Sequence, residues 1–276
     1  MNTITSLPRA ALLATAWLGA TLASVDAAAA RVTYEVVRDR QEIVSVSQRL
    51  IGSFKFNLRG AQRFAATQTT LSTPADFDPF AQEWGRTAVS QMEYRWTNAA
   101  GLERTTVYHG MSGRVATAVF SPMNGSTAQY TIPEWRSYYG DRNPNVYAHV
   151  VMDEPTAIAS VETHAPGDLP GIGRQFDAEM RGLRTLERDL LAQNLSGGGR
   201  LTVWASAEPC PVCRRAIEQF ANAYDVDVSV YFLPPVGDPP IYERRIFQMT
   251  RNRLLRNFHL RVANERGKGV DAGCVR

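Results

Sequence analysis

The stretch LTVWASAEPCPVCRRAIEQFANAYDVDVSVYF, residues 201–232, reads as strand, helix, strand, and its reading decides the class of the fold. Residues 201–205 form a short apolar run, enough for one buried strand. Pro211 then falls in the first turn of a helix, where a missing N–H is no loss, and Ile217 and Phe220 share the inward face until Asp225. Val226, Val228, Val230 and Phe232 recur at every second position, the period of a strand. Two strands joined by a helix of this length need a crossover and lie parallel, so this half of the chain is predicted to be α/β.

Working outward, Met180, Leu183, Leu186 and Leu190 recur at helical spacing from a start at Asp177, and Gly197, Gly198 and Gly199 stop that helix. The Pro- and Gly-rich residues 164–173 read as the loop that delivers the chain to it. Residues 242–258 predict a third helix, with Tyr242, Ile246 and Met249 on one stripe. The first third reads as mostly β, from alternation at Val32, Tyr34 and Val36, at Val44 and Val46, and at Phe54, Phe56 and Leu58. Asp78 and Pro79 begin a helix carrying Phe80, Trp84 and Ala88; a strand follows at Tyr94 and Trp96, then a hairpin turn over 98–101 into a strand over 102–108. Further strands are expected over 115–120 and 146–152.

Arg9, the apolar residues 10–25 and the small residues 27–30 have the layout of a secretory signal, cleaved between Ala27 and Arg31. The apolar run is short for a bilayer span, which weighs against a retained anchor. The expected organisation is a signal peptide over 1–30, a β-rich N-terminal region over 31–110, an α/β domain over 111–265 and a flexible tail over 266–276. Export implies a secreted or periplasmic protein with no stable membrane association after cleavage.

A hydrophobic content of 44% supplies a core, and the net charge is only +3. Arginine carries nearly all the basic charge, Lys55 and Lys268 being the sole lysines. Arg244, Arg245, Arg251, Arg253, Arg256, Arg261 and Arg266 form a basic stretch that either tracks phosphates or is a solvated helix face. Cys210, Cys213 and Cys274 are too few for the disulfide framework of a small secreted domain. Cys274 is a free thiol, a fourth ligand or an intermolecular bridge. His109, His149 and His259 have no motif around them and are read as structural.

Cys210 and Cys213 stand three apart at a helix start, so both sulfurs reach one point beyond the helix end. The exposed N–H groups and the dipole there lower thiol pKa, which favours the thiolates that zinc requires. A third ligand must come from another element. The start of the preceding helix, with Asp177 and Glu179, is the source at hand, and carboxylate oxygen is a permitted zinc ligand.

These residues resemble the cytidine deaminase-like superfamily, whose pattern is His or Cys, any residue, Glu, and later Pro-Cys-x-x-Cys, carried through a strand–helix–strand unit. The resemblance covers residues 177–233 and is greatest to the bacterial polymorphic-toxin branch, through FDAEM at 176–180 and AEPCPVC at 207–213. It implies a three-layer deaminase-like fold with a mixed β-sheet and flanking helices. It also implies a zinc ion on Asp177, Cys210 and Cys213, with Glu179 as the catalytic proton shuttle. The activity implied is hydrolytic deamination of a cytosine or adenine base by an exported toxin or effector that has a cognate immunity protein. Asp177 departs from the family's His or Cys. Relative to a neutral imidazole, the added negative charge makes metal-bound water less acidic, so either Arg174 or Arg181 compensates or His164 is the true third ligand. A nucleic acid or a nucleotide fits as substrate, and the arginines together with Trp204, Tyr231 and Phe232 favour nucleic acid. The competing reading is an exported thioredoxin-like thiol-disulfide oxidoreductase using Cys210 and Cys213.

Overall fold

A computed structural model describes residues 31–67, 73–113, 145–148, 158, 174–192, 194–235, 237–238 and 241–271. The expected signal segment, the strand over 115–120, His149, His164 and Cys274 lie outside the described residues. One mixed six-stranded sheet organises the rest. Its strands are β1 (Val32–Val36), β2 (Val89–Thr97), β3 (Glu103–Met111), β4 (Asn145–Tyr147), β5 (Arg200–Ala205) and β6 (Asp227–Phe232), in the order β1-β6-β5-β2-β3-β4. β5 pairs parallel to β6 with Val203 opposite Val230, as the strand–helix–strand unit requires. β1 adds parallel to β6, β2 runs antiparallel to both β5 and β3, and β4 is parallel to β3.

Helices cover both faces, so the molecule is α/β. On one face lie α1 (Arg40–Thr67), α2 (Asp78–Arg86), α5 (Ile241–Arg256) and α6 (Phe258–Asp271), packed through Leu50, Phe54, Trp84, Phe247 and Phe258. On the other lie α3 (Ala178–Leu191) and α4 (Pro211–Tyr224), whose Met180, Leu183, Ile217 and Phe220 meet Met92, Tyr108, Val203 and Val230 of the sheet. The β2–β3 hairpin closes where expected. Asn98 accepts from the N–H groups of Ala100 and Leu102 through its side chain, and Gly101 takes a φ of 74°, which a side chain would disfavour.

Three expectations are corrected. The alternation at Val44–Val46 and Phe54–Leu58 belongs to the 28-residue helix α1 and not to strands. Ile43, Val46, Leu50, Phe54, Leu58, Ala61 and Ala65 form a buried stripe at a period near 3.6, and burying it outweighs local β preference. The helix also has a start signal, since Asp39 accepts from the N–H groups of Gln41 and Glu42. Second, residues 31–110 are not a separate β-rich region: β1, β2 and β3 share one sheet with β5 and β6, and a boundary at 110 would fall inside β3. Third, of the expected stripe on α5 only Ile246 packs against the core, while Tyr242 and Met249 are 71% and 58% exposed and the buried positions are Phe247, Leu254 and Leu255. The chain then turns into α6, which runs to Asp271 and packs Phe258 and Val262 into the core, so residues 266–271 are helix and not loose tail.

Candidate metal centre

Two helix N-termini meet at the site. Asp177 is the N-cap of α3, with extended φ and ψ of −69° and 147°, yet its carboxylate makes no capping bond to its own helix. Cys210 is the N-cap of α4, and its Sγ accepts from the backbone N–H of Cys213 at 3.3 Å. The Asp177 side chain turns instead to the other helix. Its Oδ2 lies 3.6 Å from Sγ of Cys210 and 3.4 Å from Sγ of Cys213, and the two sulfurs are 3.1 Å apart and unbonded. Among the described residues this is the single group of three or more His, Cys, Asp or Glu donors able to hold one metal ion. The exposed N–H groups of both helices offset the negative charge that gathers there. Arg174 adds a cation, with Nη1 3.6 Å from Asp177 Oδ2. Arg181, the other candidate for that task, donates to the carbonyls of Met111 and Gly113.

The close approach of α3 to the sheet depends on one residue. A Cβ on Gly110 of β3 would fall inside contact distance of the Ala178 carbonyl oxygen and the Ser90 hydroxyl, so only glycine lets the first turn of α3 sit this close.

No protein-family model, curated protein or solved structure matches the chain. The triangle of donors has the edge lengths expected around an ion with Zn–S bonds of about 2.3 Å and Zn–O bonds of about 2.0 Å, provided the sulfurs part by roughly half an ångström. The sulfurs differ in protonation. The hydrogen bond from Cys213, helped by the Cys213 backbone N–H, pulls the Cys210 thiol down to about 7 against the opposing effect of burial. Donating that hydrogen bond, together with burial and the negative charge of Glu179 and Asp177, pushes the Cys213 thiol up. Cys210 is therefore the more acidic of the two, and Cys213 keeps its proton to higher pH. Metal binding must expel that proton.

Glu179 stands two residues beyond Asp177 in the first turn of α3 and is only 6% exposed. Burial chiefly, with the charges of Asp177 and Cys210, pushes its carboxyl up to about 7, although the backbone N–H of Glu179 pulls the other way.

Of the other sequence candidates, the basic stretch divides. Arg245, Arg253, Arg256 and Arg261 are exposed, whereas Arg251 is buried and Arg266 donates to the carbonyls of Ala65 and Ala66 at the end of α1. Phe232 is buried, and Trp204 and Tyr231 pack against the core on the α1 side, with Arg49 4.2 Å above the Trp204 ring. They are not a free stacking platform. His109 is buried against Phe56 with Nδ1 3.1 Å from the Ser53 hydroxyl, a structural setting as expected. Sequence reading missed Arg251 as a separate case, because nothing in a run of arginines marks the one that tertiary packing will bury.

Proposed function

We propose that the protein is a zinc-dependent deaminase that hydrolyses the exocyclic amine of a cytosine or adenine base in a nucleic acid or nucleotide. One observation carries the reading: an acidic N-cap on one helix and a Cys-x-x-Cys start on the next point their donor atoms at one spot, with a buried glutamate two residues further along. Asp177, Cys210 and Cys213 would hold the ion. Zinc would supply Lewis acidity and lower the pKa of a water molecule. Glu179 does the proton work. With its carboxyl near neutrality, it is populated both as base and as acid at pH 7, so it can take a proton from water and pass it to the ring nitrogen and the departing ammonia. Arg174 compensates for the charge that the Asp177 carboxylate adds where the resembling family can carry a neutral histidine.

Export as a bacterial toxin or effector, and a cognate immunity protein, belong to the same proposal and rest on residues 9–30 and on the resemblance. A thiol-disulfide oxidoreductase is the second reading, favoured by two observations: sulfurs 3.1 Å apart, and a Cys210 thiol brought down to about 7 at a helix start. One set of measurements separates the two. Zinc content and free thiols are determined on the purified protein, and ammonia release is followed on single-stranded DNA, duplex DNA, RNA and free nucleosides with Glu179→Ala as control. Bound zinc and a Glu179-dependent release of ammonia are expected. A metal-free protein carrying a Cys210–Cys213 disulfide that it exchanges with the thiols of other proteins would replace the deaminase by the redox enzyme.

A further inference from the structure

A cavity of about 470 Å³ opens at the carboxyl ends of β5 and β6, walled in part by the chain segment that leads to the metal centre. Arg86 at the end of α2, Ser206 and Glu208 beyond β5, Pro234 beyond β6, and Gln248 and Arg251 of α5 are among the residues that wall it. Crevices at the carboxyl ends of parallel strands are where open α/β sheets take ligands, and β5 and β6 are such a parallel pair. Glu208 is a wall shared with the neighbouring cavity that Cys210 lines.

Arg251 is the unexplained group. It is 8% exposed, donates from Nη1 to the Thr87 carbonyl at 2.9 Å and lies 5.2 Å over the Phe247 ring, while its Nε is buried with no partner. A guanidinium has five N–H donors, and no carboxylate pairs with this one among the described residues. Burial pulls its pKa down. A buried cation without a counter-charge is costly unless an anion arrives to complete it. Glu208 does not serve, because it is already paired with Arg214. Arg86 stands exposed at the rim, a second fork on the same opening.

We infer that this cavity is an anion subsite for a phosphate group, gripped by Arg251 from within and Arg86 from the rim. Planar guanidinium forks suit phosphate oxygens, and the volume accommodates a phosphate with an attached sugar. That the phosphate belongs to the substrate rests on the deaminase reading, and would make the substrate a nucleotide or a nucleic acid and not a free nucleoside or base.

Calorimetric titration of the full chain with inorganic phosphate tests the subsite without any turnover. Saturable binding is expected. Arg251→Gln and Arg86→Glu should each weaken it about tenfold or more, and Arg251→Lys should restore part of the loss. Arg86 is exposed, so Arg86→Glu decides the matter even if Arg251→Gln fails to fold. No saturable binding by the wild type, or unchanged binding by Arg86→Glu, overturns the inference. Parallel titrations with cytidine 5′-monophosphate and a cytosine dinucleotide assign the source of the phosphate, since tighter binding of the dinucleotide marks a polymer backbone. Deamination without phosphate binding removes the subsite alone; phosphate binding without deamination upholds the subsite and removes the enzyme.

Discussion

The Oδ2 atom of Asp177 lies 3.4 Å from Sγ of Cys213, although 36 residues and a strand separate them in the chain. The contact exists because α3 and α4 lie on the same face of the sheet and both begin beside the carboxyl end of β5. Removing Asp177 should therefore weaken metal binding without emptying the site. Asp177→Ala is expected to lower zinc affinity by more than the roughly 100-fold that loss of a ligand-orienting residue costs and Cys213→Ser to abolish binding, while His164→Ala leaves zinc in place. Elemental analysis after dialysis against a weak chelator reads all three. Full zinc retention in Asp177→Ala would return the third-ligand position to His164.

Glu179→Gln is expected to keep zinc and lose a factor of about 10² to 10⁴ in turnover, because the amide can neither take up nor return a proton. Steady-state ammonia release alongside zinc content checks both halves.

The same residue makes a stability prediction for the metal-free protein. The folded carboxyl sits near 7 against an ordinary value of 4.5, so between those values the folded state holds a proton that the unfolded chain has lost. Stability from this group is thus present at low pH and lost as pH rises from about 4.5 to 7, a change of about 3 kcal/mol at most. His109 acts in the opposite sense. Burial lowers its pKa to about 4, so folding is weakened as pH falls through 6.5 toward 4. The two partly cancel in the wild type. Subtracting its melting curve from that of Glu179→Gln at pH 5 and pH 7 isolates the glutamate, and equal differences at both pH values would contradict a raised Glu179.

Gly110→Ala should cost about 2–3 kcal/mol, because the new methyl group meets the Ala178 carbonyl across a packed strand–helix contact. The displaced first turn of α3 carries Asp177, so zinc affinity should fall together with stability. Gly182→Ala is the control: its methyl would meet only the flexible side chain of Met92. It should be milder in denaturant unfolding and leave zinc affinity unchanged.

Phe258 stacks on Phe80 with ring centroids 4.2 Å apart and meets Phe77 edge-on at 5.6 Å. Phe258→Ala should destabilise the protein by about 3–5 kcal/mol. A far smaller loss in urea unfolding would mean that α6 is dispensable to the core.

What could be read without coordinates was whatever local signals dictate. The helix starting after Asp177, the strand–helix–strand of residues 201–232, the turn at Asn98 and the cysteines at a helix start each rest on residues within one or two turns of one another, where period, capping and turn chemistry act directly. What could not be read depended on partners remote in sequence. α1 is a helix because the sheet and α5 bury its 3.6-residue stripe, and its β-branched residues taken alone argued the other way. Arg251 became a buried cation, and Tyr242 an exposed aromatic, only through the rotation of α5 against that core. The unequal protonation of Cys210 and Cys213 is likewise tertiary. Identical side chains at one helix start separate once burial and a carboxylate from a distant segment act on them unequally, since desolvation and Coulomb energies depend on distances in space and not on separation along the chain.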